Sequence, residues 1–64
     1  MFTETYARAK AAALVRDHNA YRKLHRTEAC RDYRTALDDL IHVAARHGWK
    51  IEYTVSKAGY LTLI

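Results

Sequence analysis

The 64-residue chain contains no proline, two glycines and a single cysteine, and each shortage narrows what it can be. Without proline, and with Gly48 and Gly59 both in the last third, the first 47 residues hold no strong helix breaker. Cys30 has no partner for an intramolecular disulfide and no companion for a Cys-rich zinc site, so stability has to come from packing. The longest uninterrupted apolar run is Ala11–Val15, far short of the roughly 20 residues needed to span a bilayer, which excludes a membrane helix. Met1–Tyr6 lacks the basic segment and apolar stretch of a secretory signal, so the expected location is cytoplasmic. No glycine-rich phosphate loop, no glycine-flanked serine elbow and no converging carboxylate pair occurs, so neither an enzyme nor a cofactor is expected.

What is present is the balance of a soluble globular domain: 50% hydrophobic residues, 28% charged, and 11 Lys+Arg against 7 Asp+Glu for a net charge of +4. One domain over residues 1–64 is expected. A chain near this size buries only about 60% of its unfolded surface, so association into a homodimer is expected to supplement its core.

Periodicity assigns the elements. Cys30, Tyr33, Ala36, Leu37, Leu40, Ile41 and Ala44 share one face at 100° per residue, with Arg31, Arg34, Asp38, Asp39 and Arg46 opposite. This predicts a helix over about 28–47, with Thr27 as N-cap and Gly48 as its stop. An earlier helix over about 3–25 shows two apolar facets. Phe2, Tyr6, Ala9, Ala13, Ala20 and Leu24 form one; Ala7, Ala11, Leu14, His18 and Tyr21 form the other; Thr3, Lys10 and Asp17, spaced by seven, run between them. Two facets suggest packing in two directions, within the domain and against a partner, while a single broad buried face with Lys10 snorkelling is the alternative. A turn near Leu24–Thr27 would make the helices antiparallel; one long helix is the other option.

After Gly48 the period becomes two, predicting strands at about 49–56 and 60–64 joined by a turn with Gly59 in the left-handed position. The expected fold is therefore α+β, two antiparallel helices packed on a C-terminal two-stranded antiparallel hairpin, forming a dimer. The last strand carries no charge after Lys57, leaving its edge open to strand addition unless the first helix covers it. In element order the chain resembles a truncated winged helix, a likeness of order alone that carries no function.

Metal-capable side chains are scattered. His18 and His25 are seven apart, His42 and His47 five apart, and neither spacing makes a tetrahedral site, so no metal is expected. The basic residues are concentrated instead. Arg16, Arg22, Lys23, Arg26, Arg31 and Arg34 face only Asp17, Glu28 and Asp32 over the same span, which marks the helix turn as the positive end and as the candidate contact for a partner protein, DNA or RNA. Tyr21, Leu14, Tyr60 and Leu63 are the expected dimer or protein-interface residues, since large amphipathic side chains favour interfaces. Together these features suggest a small non-enzymatic regulator or inhibitor of accessory or phage type that docks on a larger protein, with nucleic-acid binding as the alternative.

Overall fold

Thr3 opens the first helix. Its backbone is extended and its Oγ1 accepts the Tyr6 N–H at 3.1 Å, satisfying a donor that the first turn would otherwise leave free. The computed structural model describes residues 1–64 and places α1 at Glu4–Lys23, α2 at Thr27–Arg46, β1 at Tyr53–Val55 and β2 at Leu61–Leu63.

Both helices end in the same hydrogen-bond pattern. At the end of α2 the Gly48 N–H donates to Ala45 O and the Trp49 N–H to Ala44 O, with Gly48 at φ 84°, the Schellman arrangement that glycine favours. At the end of α1 the His25 N–H donates to Arg22 O and the Arg26 N–H to Tyr21 O. Here the left-handed residue is His25, at φ 57°. A histidine thus does the work of the missing glycine, and the chain reverses within Leu24–Arg26. Tyr21 stacks on Tyr33 at 5.4 Å and Phe2 meets His47 at 5.5 Å, so the helices run antiparallel and the single long helix is excluded.

The tight reversal also moves the start of α2. Thr27, expected as N-cap, is already inside the helix, and the cap is Arg26, whose side chain makes no capping bond. The reason is that one residue serves both helices: the Arg26 N–H closes α1 on Tyr21 O, while its carbonyl accepts the Cys30 N–H at 3.0 Å.

The core is built from small pieces. Ala7, Ala11 and Leu14 of α1, Leu37 and Ala44 of α2, Ile51 and Leu61 are buried, and the alanines let the helices approach closely. Of the two α1 facets, the one carrying Ala7, Ala11, Leu14 and His18 faces inward. Tyr6, Ala9, Ala20 and Leu24 of the other remain exposed. Phe2 leaves that facet to pack among Tyr6, His47 and Trp49, and His47 stacks on Trp49 at 4.7 Å.

The hairpin turns through Lys57, Ala58 and Gly59, with Gly59 at φ 90° and its N–H donating to Ser56 O. Tyr53 pairs with Leu63, Thr54 with Thr62 and Val55 with Leu61. The regular strands are shorter than the predicted 49–56 and 60–64. At one end Trp49 is held by the α2 cap; flanking bonds from Ser56 to Tyr60 and from Ile64 to Glu52 carry the pairing just beyond the strands.

Alternation of the ladder turns the peptide groups of Leu61 and Leu63 outward on β2, and those of Tyr53 and Val55 outward on β1. Of the two alternatives for the β2 edge, open or covered by the first helix, the structure shows α1 covering it at Leu61. Asn19 of α1 occupies it: its Nδ2 donates to Leu61 O at 2.9 Å and its Oδ1 accepts the Leu61 N–H at 2.8 Å. The same Oδ1 is 3.0 Å from Nδ1 of His18, which is 4% exposed. The free edge is that of β1.

Two substitutions test these joints in urea denaturation. Asn19→Ala removes both bonds to Leu61 and is expected to cost about 1–3 kcal/mol, with faster amide exchange at Leu61 than in α2. His25→Gly relieves the left-handed backbone and should raise stability by about 1 kcal/mol, whereas a β-branched residue there should lower it.

Candidate functional site

The reversal Leu24–Arg26 brings the basic last turn of α1, Arg22 and Lys23, against the first turn of α2. Cations at a helix C-terminus complement its dipole, which accounts locally for Arg22 and Lys23. It does not account for Arg26 and Arg31 on the neighbouring element. The structure divides the six expected contact residues into two groups with different work.

Arg22 and Arg34 fasten the hairpin. The Arg22 guanidinium lies 6.0 Å from the centre of the Tyr60 ring and 3.4 Å from His25 Nδ1. It fits against Gly59 so closely that a Cβ there would come within 2.8 Å of Arg22 Nε. Arg34 lies 5.7 Å from the Tyr53 ring centre, and its Nε donates to the Tyr53 hydroxyl at 3.2 Å. That hydroxyl donates in turn to Asp38 Oδ1 at 2.6 Å, so β1 is tied to α2 by a three-residue chain.

Lys23, Arg26 and Arg31 are exposed and have no carboxylate within 4.0 Å, because the ion pairs of the molecule lie elsewhere: Arg8–Glu4, Arg16–Asp17 and Lys50–Glu52. Arg16 extends from α1 beside Asp17 at 3.5 Å. Beside the free cations a shallow cavity of about 290 Å³ is lined by Arg22, His25, Thr27 and Cys30. The Cys30 thiol donates to His18 O at 3.6 Å. His25 and Thr27 had no signal in the charge pattern; the left-handed turn is what brings them here.

The positive end is confined to the last turn of α1, the reversal and the start of α2; α2 as a whole is not basic. Along α2, Arg31, Arg34 and Arg46 stand among Glu28, Asp32, Asp38 and Asp39, so this helix is net acidic. No group of His, Cys, Asp and Glu side chains is arranged to hold a metal ion, and no helix is long and apolar enough to cross a membrane.

The expected interface residues are placed differently from one another. Leu14, 8% exposed, belongs to the core of the single chain and is corrected accordingly: its direction on α1 is that of Ala7, Ala11 and His18. Tyr21 is half-buried in its stack with Tyr33, and Leu63 is half-buried against the core. Tyr60 is exposed beside Arg22.

Burial first, and then the bond to Asp38, raise the Tyr53 hydroxyl above its usual 10.0, with Arg34 pulling the other way. The folded state therefore holds this proton more firmly than the unfolded chain does. Its contribution to stability is complete below pH 10 and is lost as pH rises through the folded value. Tyr53→Phe should cost about 1 kcal/mol at neutral pH through the lost hydrogen bonds and flatten the decline above pH 10, both read from denaturation at a series of pH values.

No protein-family model, curated protein or solved structure matches the chain.

Proposed function

We propose that the chain is a small non-enzymatic binding module, a regulator or inhibitor that docks on a larger protein through its basic end. One observation carries this reading: Lys23, Arg26 and Arg31 are exposed around a single turn with no ion-pair partner, although Glu28 and Asp32 lie close by in sequence. Exposed, unpaired cations of one sign steer and orient an acidic partner, and no ion pair within the chain competes for them. The acidic character of α2, with Glu28, Asp32, Asp38 and Asp39, favours a compact acidic patch that meets only the turn over a long phosphate backbone that would also run along the helix. The setting we assign is the cytoplasm, where a lone thiol such as Cys30 stays reduced.

Nucleic-acid binding is the second reading, favoured by the same three cations. Titration of labelled duplex and single-stranded DNA and RNA at two salt concentrations separates the two. The variant to compare is Lys23→Ala, Arg26→Ala and Arg31→Ala together, which spares Arg22 and Arg34 and so leaves the hairpin fastened. A protein-docking module should show no submicromolar binding to any of these probes, and should hold a saturable protein partner that the triple variant loses. Submicromolar binding with a steep salt slope, abolished by the triple variant, would overturn the first reading in favour of the second.

A further inference from the structure

The hairpin covers one side of the helical pair and leaves the other bare. It meets α1 through Asn19 and Arg22, and α2 through Arg34 and Asp38. At 100° per residue, the side of α1 turned away from Asn19 and Arg22 carries Tyr6, Lys10, Ala13, Asp17, Ala20 and Leu24. The corresponding side of α2 carries Ala29, Asp32, Ala36, Leu40 and Val43, of which Asp32, Ala36 and Val43 are exposed. Tyr6 is 51% exposed, Leu24 65% and Val43 41%, so the apolar residues of this face, which stand among Lys10, Asp17 and Asp32, are largely uncovered within the chain.

We infer that this face is a two-fold interface between two copies of the chain, with their α1 helices crossing antiparallel at Ala13. Two observations select a second copy over any other occupant. The α1 residues of the face recur at intervals of four and three, as one face of any helix does, so the choice rests on what stands at those positions. Lys10 and Asp17 have opposite charges and lie at nearly equal distances on either side of Ala13. An antiparallel crossing therefore sets each Lys10 against the second copy's Asp17, while a parallel one would set like charge on like. Such self-complementarity is what a closed two-fold contact requires and what an unrelated partner has no need of. Lastly, the axis falls on a small residue, which permits close approach of the two backbones.

The local surroundings agree with this. Lys10 has no ion pair within the chain, and Asp17 has only its neighbour Arg16 at 3.5 Å. Two helices of about 30 Å side by side present a face of the size from which a standard interface draws about 800 Å² per partner. The other open element, the β1 edge, is three residues long and flanked by Lys50, Glu52 and Lys57, which blunt pairing with another strand.

Sedimentation equilibrium of the full chain tests the inference independently of the docking end, since none of the altered residues lies there. The wild type should approach twice 7.4 kDa with rising concentration. Lys10→Glu and Asp17→Lys should each weaken association by about tenfold, as two symmetry-related pairs become like-charged. The double exchange K10E/D17K should restore it, and Ala13→Arg should give a monomer; circular dichroism should show helix content unchanged throughout. A wild type that remains at 7.4 kDa into the millimolar range would sink the idea. So would a dimer indifferent to all three single changes, or a double exchange that fails to restore what either change alone removes.

Discussion

Two strands of three residues bury too little apolar surface to persist by themselves, and here the missing support is a side-chain amide. Asn19 presents to Leu61 the donor and acceptor that a third strand would have presented, from a rigid helix and at ordinary hydrogen-bond lengths. Much else follows from that clamp. Leu61 is held down into the core, where only Leu14, Leu37 and Ile51 supply comparably large side chains among the buried set. With β2 against α1, β1 falls beside α2, where Arg34 and Asp38 grip Tyr53. The hairpin is thus fixed at three points, Leu61, Tyr53 and the Tyr60–Gly59 loop under Arg22.

Fastening the sheet on one side of the helices determines which surfaces remain. Two of the six cations around the turn are consumed in holding the hairpin, and this is why the basic end reduces to Lys23, Arg26 and Arg31 with Arg16 to one side. The opposite side of the helical layer keeps its apolar facet because no third layer exists to cover it. A core with three alanines among its seven buried apolar residues trades side-chain volume for close helix approach.

Much of this was legible in residue patterns. The α2 stripe, Gly48 as its stop, the change of period after it and Gly59 in the hairpin turn all emerge from spacing, because burial on one face imposes a period that sequence displays directly. The unread parts are those without a period. Asn19 is one polar residue on a polar flank of α1, and nothing in its neighbours announces a contact with Leu61 at a separation of 42 residues. His25 in a left-handed cap is equally silent, since histidine tolerates that backbone without being required by it. The division of the arginines could not be read either: a cation that stacks on Tyr60 and one that meets only solvent have the same letter. For the same reason Leu14 reads as an interface residue on a helix with two apolar facets, and it is packing against α2 and the hairpin that turns its facet inward.

The surfaces left over bear on one another. In the antiparallel dimer inferred from Lys10 and Asp17, α1 of each copy points its basic end away from the axis. At 1.5 Å per residue the two Lys23 side chains would sit roughly 30 Å apart along the paired helices. A module with one small cluster of cations gains little affinity from it, because exposed charges are individually weak in water. Two such clusters on a rigid spacer behave differently toward an extended acidic surface, since engagement of the first raises the effective concentration of the second. In that inferred dimer the bare face of the helices and the unpaired cations of the turn would be parts of one arrangement, in which association would convert a weak charged end into a bivalent one of fixed span.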